Sequence, residues 1–274
     1  MSAGDGSAEA RRAAQVAIDA GLEHHRDGEL AEALDCYAEA IGHDASHADA
    51  HNLQGLALLA CDELEGAQAA VERAVALQPG IAHYRVSLGK VLLRQGDSGA
   101  AGEAFSAALE LDPALVEAHN DLGNARLAAG DRDGAIASYS AALEQDPEYP
   151  LAALNLASTL QEEGRHAEAE QRYRDLLRDH PGHVEARSRL ALLVGGDGRY
   201  EEALELCVRC RLQQPDDPVL AQRMLYFAAL AGRWEHHRAA LRGLAKELRE
   251  ELAEVLDGHS LQQAAAECRR SAGG

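Results

Sequence analysis

The residues of this chain best suited to chemistry are histidines and cysteines at helical spacing. His47 and His51 stand four positions apart, close to His43, and two histidines at that spacing on one helix face can share a metal ion. Cys207 and Cys210 form a C-x-x-C pair, which is half of a redox or zinc motif. Metal binding and thiol chemistry are therefore the first possibilities for these side chains.

Four residue columns recur every 34 positions and define the elements that carry these side chains. Proline ends a helix, glycine allows the sharp turn between two helices, and two columns of small residues mark close helix crossings. Large apolar residues between them follow the spacing of amphipathic helices. The columns are Pro79, Pro113, Pro147, Pro181 and Pro215; Gly28, Gly96, Gly130, Gly164, Gly198 and Gly232, with Asp62 in the gap; Ala33, Ala67, Ala101, Ala135, Ala169 and Ala203; and Gly21, Gly55, Gly89, Gly123, Ala157 and Ala191.

The repeat favours packing roles for the candidate ligands. His51 and His119 share one repeat column, and the two cysteines occupy places that another repeat fills with Tyr173 and Leu176. No second cysteine pair, phosphate loop, nucleophile elbow or zinc-protease motif occurs in the sequence. We therefore predict no catalytic residue, no metal site, no cofactor and no enzyme activity.

The columns resemble the tetratricopeptide repeat family. The matching residues are the Leu122–Gly123 pair, Ala135, the aromatic Tyr139, Ala142 and Pro147. The resemblance covers roughly residues 14–251. It implies an all-α fold, a right-handed superhelical solenoid of helix-turn-helix repeats that ends in C-terminal capping helices.

The columns also set the predicted boundaries. Residues 1–13 are expected to be a disordered tail. A divergent seventh repeat at 218–251 precedes a capping helix and tail at 252–274, because the last unit of a solenoid must cover an apolar face. The six regular repeats are 14–47, 48–81, 82–115, 116–149, 150–183 and 184–217.

Two further helices are predicted near the C-terminus. A leucine-rich stripe extends the last repeat to about Asp257, and Ser260 with Gln263 forms a capping box that begins a helix near 261–270. The stripe is Leu241, Leu244, Leu248, Leu252 and Val255.

By the family resemblance, the first helices of the repeats line a concave groove that binds a peptide or a protein segment. Side chains at the second, fifth, sixth, ninth and twelfth places of each repeat are expected to face it, either to bind a peptide or only to be solvated. Lys90 and Arg189 are the cations identified there, about three repeats apart, which argues against the clamp that holds a C-terminal carboxylate in chaperone-binding members. The polar candidates are Asn52, His83, Lys90, Glu117, Asn120, Asp121, Asn124, Asn155, Ser158 and Arg189.

The formal charge of −20 restricts the classes of partner that the protein is expected to bind. Such a surface repels phosphate backbones and anionic lipid, so we expect no nucleic-acid or membrane partner and a basic or neutral protein rather than an acidic one. Solubility alone is the alternative explanation of the charge. The odd number of cysteines and the lack of an apolar signal core indicate a reducing, cytoplasmic location. The oligomeric state stays open.

Two functions follow from these features. The first is a protein-interaction scaffold or adaptor that holds a protein segment in its groove. The alternative is the substrate-recognition region of an O-linked N-acetylglucosamine transferase, or a detached copy of it, because the segment from Ala118 to Asn124 is similar to part of that array. The asparagine ladder of that array is not kept here, since its places include Asp121 and Arg189.

Overall fold

The computed structural model of this chain describes residues 3–237, 240, 246–259 and 261–272. Over those residues the only regular secondary structure is helical, so the all-α prediction is confirmed. The helices are α1 (Ala3–Asp27), α2 (Leu30–His43), α3 (Ala48–Ala60), α4 (Leu64–Leu77), α5 (Ala82–Arg94), α6 (Ser98–Leu111), α7 (Val116–Ala128), α8 (Arg132–Gln145), α9 (Pro150–Glu162), α10 (His166–Asp179), α11 (Val184–Gly196), α12 (Tyr200–Gln213), α13 (Pro218–Leu230), α14 (Trp234–His237), α15 (Lys246–Gly258) and α16 (Gln262–Ala272).

The helices form two compact units, unit 1 over Met1–Tyr149 and unit 2 over Pro150–Gly274. In unit 1 the helices pair as hairpins, α1 with α2 through α7 with α8, and each second helix also packs on the next first helix. Unit 2 repeats this with α9 to α13, and α15 then packs on both α13 and α16. Each unit is therefore a stack of helical hairpins.

First helices of successive hairpins also touch one another. In unit 1, α5 contacts both α3 and α7, and in unit 2, α9 contacts α11. We call the surface formed by α3, α5 and α7 the first-helix face of unit 1. The surface formed by α9, α11 and α13 is the first-helix face of unit 2.

The turn inside each hairpin requires a left-handed backbone. All six glycines of the predicted turn column have positive φ, between 70° and 86°. Asp62 stands in the gap of that column and adopts the same conformation, with φ 63°. It is the one non-glycine residue with positive φ among those that the structure describes. The column therefore predicts the backbone conformation even where the residue type changes.

The small-residue column lets the two helices of a hairpin approach closely. A Cβ atom on Gly89 would lie 2.6 Å from the ring of Phe105, and one on Gly55 would lie 2.4 Å from a methyl group of Val71. Phe105 and Val71 are themselves fully buried. The large residue of each second helix thus occupies the space that the glycine leaves free.

The N-terminal end of the chain differs from the expected pattern. Residues 3–13 belong to α1, where we expected a disordered tail. From Ala8 onward, alanine, glutamate and arginine have high helix propensity, whereas Gly4 and Gly6 do not. Near the C-terminus, α15 ends at Gly258 and α16 spans Gln262–Ala272. Leu241, Leu244 and Ser260, which carried the predicted stripe and capping box, lie outside the described residues.

Candidate functional site

Two polar contacts tie the first-helix face of unit 1 together. The Tyr84 hydroxyl on α5 donates a hydrogen bond of 2.5 Å to Asp49 Oδ1 on α3. Lys90 Nζ, also on α5, lies 3.7 Å from Asp121 Oδ2 on α7. These contacts join α5 to both neighbouring first helices, and Glu117 is exposed on α7.

Asp121 is the most unusual carboxylate of this face. Its side chain is only 18% exposed. Among the described residues Oδ2 accepts no hydrogen bond, because 3.7 Å from Lys90 is too long for one. Asn120 Nδ2 donates to Oδ1 at 3.3 Å. Burial raises the pKa of Asp121, against the opposing effect of Lys90. Asp121 Oδ2 is thus a buried acceptor without a hydrogen-bond donor among the described residues.

Two neighbours add to the same face. Asn52 Oδ1 on α3 is buried and accepts no hydrogen bond among the described residues. Burial raises the pKa of Tyr149, and the nearby Glu117 and Asp121 carboxylates raise it further. The repeat positions did not identify Tyr149 because it lies in the turn after α8, outside the first helices.

The other candidates of unit 1 have differing roles. His83 is exposed on α5, while Asn120 is buried on α7. Asn124 Oδ1 accepts a 2.9 Å hydrogen bond from the Tyr139 hydroxyl, so this side chain anchors the second helix of its hairpin. Asn52, Asp121 and the exposed His83 and Glu117 remain as side chains for a ligand.

In unit 2 the predicted groove residues take part in hydrogen bonds and in one ion pair. Ser158 Oγ on α9 lies 3.2 Å from the Tyr173 hydroxyl, which donates to Gln161 Oε1 at 3.0 Å. Arg189 on α11 forms an ion pair of 2.8 Å with Glu185, one turn earlier. Asn155 is half-buried on α9. These groups supply hydrogen bonds within unit 2.

A cavity of about 420 Å³ opens between α11 and α13 on the first-helix face of unit 2. Arg223, on α13, lines it and donates to the Ser188 hydroxyl on α11. Sequence reasoning missed Arg223 because the groove positions were not extended past residue 217. The signal was present, since Arg223 follows Arg189 by one repeat of 34 residues.

The histidines examined as metal ligands contact the turns before their helices. His51 Nε2 lies 3.1 Å from the Ala45 carbonyl oxygen, and His119 Nε2 lies 2.9 Å from that of Pro113. Within the described part of the chain, no group of three or more histidine, cysteine, aspartate or glutamate residues could hold a metal ion. Both imidazoles thus fix a connection between hairpins.

The cysteine pair is buried in unit 2. Cys207 and Cys210 are both inaccessible, and Cys210 Sγ contacts the Val184 carbonyl oxygen at 3.7 Å. Burial raises the pKa of both thiols, to about 12 for Cys207. A thiol in such surroundings is a poor nucleophile.

Comparison with known proteins agrees with this arrangement. Two tetratricopeptide repeat family models match the chain, one at residues 18–67 and 62–115 and the other at 126–193 and 160–225. The chain belongs to the tetratricopeptide repeat family. Proteins of this kind are scaffolds whose stacked hairpins form extended binding surfaces. No curated protein sequence matches the chain.

Solved structures with the same fold come from several systems. PilW, a type IV pilus biogenesis factor, is 18% identical with a TM-score of 0.69, over 76% of this chain and 96% of its own. Pseudomonas aeruginosa PilF is 21% identical with a TM-score of 0.67, over 82% and 99%. YrrB, described as a tetratricopeptide protein with an unusual peptide-binding site, is 24% identical with a TM-score of 0.51, over 62% and 88%. At these identities the likeness concerns the fold.

Among the described residues, no helix is both long and apolar enough to cross a membrane. The resemblance to sugar transferases stays a prediction, and so does the preference for a basic or neutral partner.

Proposed function

We propose that this protein is a non-catalytic interaction scaffold whose first-helix face in unit 1 binds a basic or neutral segment of a partner protein. The observation that carries the proposal is the buried Asp121 Oδ2, which has no hydrogen-bond donor among the described residues and lies 3.7 Å from the Lys90 ammonium group. A lysine or arginine of a partner would give this oxygen the close, charge-assisted hydrogen bond that Lys90 does not.

Asn52 supports binding of an extended backbone. Its buried Oδ1 has no donor, and a peptide N–H would satisfy it. An amide oxygen accepts from any residue's backbone and therefore contributes affinity without sequence preference. Asp121 would then select for positive charge, while Asn52 would hold the main chain.

The scaffold is also proposed to work in a reducing, cytoplasmic setting. All five cysteines are free thiols, and three of them are buried. No observation favours a sugar-transferase role, and the scaffold function does not depend on one.

The experiment uses two fluorescein-labelled peptides of the same length, one of alternating lysine and serine and one of alternating glutamate and serine. Fluorescence anisotropy with the full chain should show binding of the lysine peptide and a weaker response to the glutamate peptide. Replacing Asp121 by Asn should weaken the lysine complex about tenfold or more, because a hydrogen bond to a charged group is lost. Asp133→Asn, an equal charge change on the exposed start of α8, is the matched control.

A substitution of Lys90 is expected to change the affinity for the lysine peptide in the opposite direction. Lys90 competes with the ligand for Asp121, so Lys90→Ala should tighten the lysine complex while Asp121→Asn weakens it. Equal binding by the wild type and Asp121→Asn would contradict the proposal. So would a Lys90→Ala variant that binds the lysine peptide more weakly than the wild type.

A further inference from the structure

The first helices of unit 2 carry arginines at a repeat position where those of unit 1 carry no cation. Its successive first helices place Asn155, Arg189 and Arg223 at one repeat position, where unit 1 has Ser87 and Asp121. The cavity of about 420 Å³ between α11 and α13 lies beside both arginines. This part of the molecule is therefore unlike the acidic surface that the net charge of the whole chain describes.

Two carboxylates and two guanidinium groups line the cavity, and neither carboxylate forms an ion pair with Arg223. The Glu185 carboxylate is already paired with Arg189 at 2.8 Å. Asp217 caps α13, accepting hydrogen bonds from the Val219 and Leu220 backbone N–H groups at 2.8 and 3.2 Å. Within the described residues Arg223 meets a neutral hydroxyl, that of Ser188, and no carboxylate.

Arg223 is also held partly inside the protein. Its side chain is half-buried, and its charge opposes the larger effect of burial on the pKa values of Cys207 and Cys210 on α12. Ser188, its partner, is only 6% exposed. A guanidinium that is partly removed from water gains more from an anion than one on an open surface.

Apolar side chains flank this guanidinium on both helices. Leu192 on α11 is 40% exposed and Val219 on α13 is 44% exposed, and both line the cavity. Large aliphatic groups at such exposure indicate a surface that an apolar partner can cover. Because they come from both walls, a bound segment would place apolar residues on either side of its charged one.

We propose that the cavity between α11 and α13 binds an acidic side chain of a partner protein, with Arg223 as its anion partner and Leu192 and Val219 contacting the aliphatic residues beside it. The site belongs to unit 2 alone and differs in charge from the one in unit 1. An experiment can therefore contradict one of the two proposed binding sites without contradicting the other.

The test measures anisotropy of labelled peptides with the full chain. The first probe alternates leucine and glutamate and is amidated at its C-terminus; the second replaces each glutamate by glutamine; the third has the first sequence with a free C-terminus. The glutamate probe should bind at least about tenfold more tightly than the glutamine probe, as expected for a charge-assisted hydrogen bond. The free C-terminus should change its affinity by less than about threefold, a small fraction of that effect.

Variants assign the binding to the cavity. Arg223→Gln should weaken the glutamate probe about tenfold or more and leave the glutamine probe unchanged, whereas Arg209→Gln, an equal charge change on exposed α12, should leave both unchanged. Val219→Glu places a carboxylate at the exposed edge of the cavity and should also weaken the glutamate probe. It serves as a second variant that does not depend on removing Arg223.

Three results would overturn the proposal. The first is that the glutamate probe does not bind up to about 1 mM, the limit of a weak specific complex. The second is equal affinity for the glutamate and glutamine probes. The third is an Arg223→Gln variant with unchanged affinity for the glutamate probe. A gain above about tenfold from the free C-terminus would identify a terminal carboxylate as the ligand and would overturn the assignment to an acidic side chain. The lysine peptide and Asp121→Asn do not enter this test.

Discussion

The ring of Tyr139 lies directly against Gly123, at the crossing of α7 and α8. A Cβ atom added to Gly123 would stand 2.4 Å from Tyr139 Cε1, a separation that real Cβ atoms do not show. Tyr139 is fully buried, and its hydroxyl is held by Asn124 at 2.9 Å. The ring therefore has little freedom to move away, and the pair sets the distance between the two helices.

Replacing Gly123 by Ala should destabilise unit 1 by about 1–3 kcal/mol, because the added methyl group overpacks the crossing. Gly102→Ala is the matched control, since a Cβ there would meet only Leu122 Cδ1, at 3.9 Å. That control should be neutral or gain up to about 1 kcal/mol from the better helix propensity of Ala. Urea denaturation followed by circular dichroism measures both, and a Gly123→Ala variant as stable as the control would contradict the packing argument.

Ala135 tests the second small-residue column. Its side chain is completely buried, so Ala135→Leu should force a larger group into the space between helices and cost about 1–3 kcal/mol. Ala137→Leu, on the exposed side of the same helix, makes the same chemical change without burial. Thermal denaturation should show a lower midpoint for Ala135→Leu alone. Equal midpoints would mean that the column does not mark a close crossing.

The repeat columns predict the backbone well because each column has one local physical cause. Glycine at a turn and a small residue at a crossing require no knowledge of the partner helix, so the sequence suffices. The site depends on contacts that the columns do not encode. The repeat position of Asn124 predicts a ligand-binding side chain, but its amide oxygen accepts a hydrogen bond from Tyr139. Arg223 is recognised as a candidate only from the cavity that it lines.

Asp62 allows a test of the turn itself. It has φ 63° at a position that glycine fills in six equivalent turns, and its carboxylate pairs with Arg94 at 2.7 Å. Asp62→Gly should relieve up to about 1 kcal/mol of left-handed strain. It also removes an exposed ion pair worth at most about 1 kcal/mol.

Asp62→Asn separates these two effects, because it keeps the side-chain size and removes the charge. We expect it to lie within about 0.5 kcal/mol of the wild type, as is usual for exposed pairs. Asp62→Gly should then be more stable than Asp62→Asn in urea denaturation. The opposite order would show that this left-handed turn tolerates a side chain without strain.

Asp121 links function to stability. Burial raises its folded-state pKa above the usual value, so the folded protein binds this proton more tightly than the unfolded chain does. The group therefore favours folding at low pH, and this contribution is lost as pH rises from the usual pKa of Asp through the raised one. At neutral pH the ionised carboxylate is a net cost to folding.

Asp121→Asn should consequently be at least as stable as the wild type at pH 7, although it binds the lysine peptide more weakly. The stability difference in its favour should shrink as pH falls below the raised pKa, where wild-type Asp121 is protonated. Thermal denaturation of both proteins from pH 3 to pH 7 measures the difference. A variant that is less stable than the wild type at pH 7 would mean that Lys90 compensates the carboxylate fully.

The last prediction concerns the cysteines, which differ in their exposure to solvent. Cys61 is exposed and Cys36 half-buried, whereas Cys207, Cys210 and Cys268 are buried with raised pKa values, about 12 for the first and about 11 for the last. Since the thiolate is the reactive form, an aromatic disulfide reagent at pH 8 should react rapidly with one thiol, and Cys61→Ser should abolish that phase. Cys207→Ser should leave the native reaction unchanged and remove one thiol after unfolding in guanidinium. Rapid labelling of Cys207 in the folded protein would instead support the redox interpretation of the C-x-x-C pair.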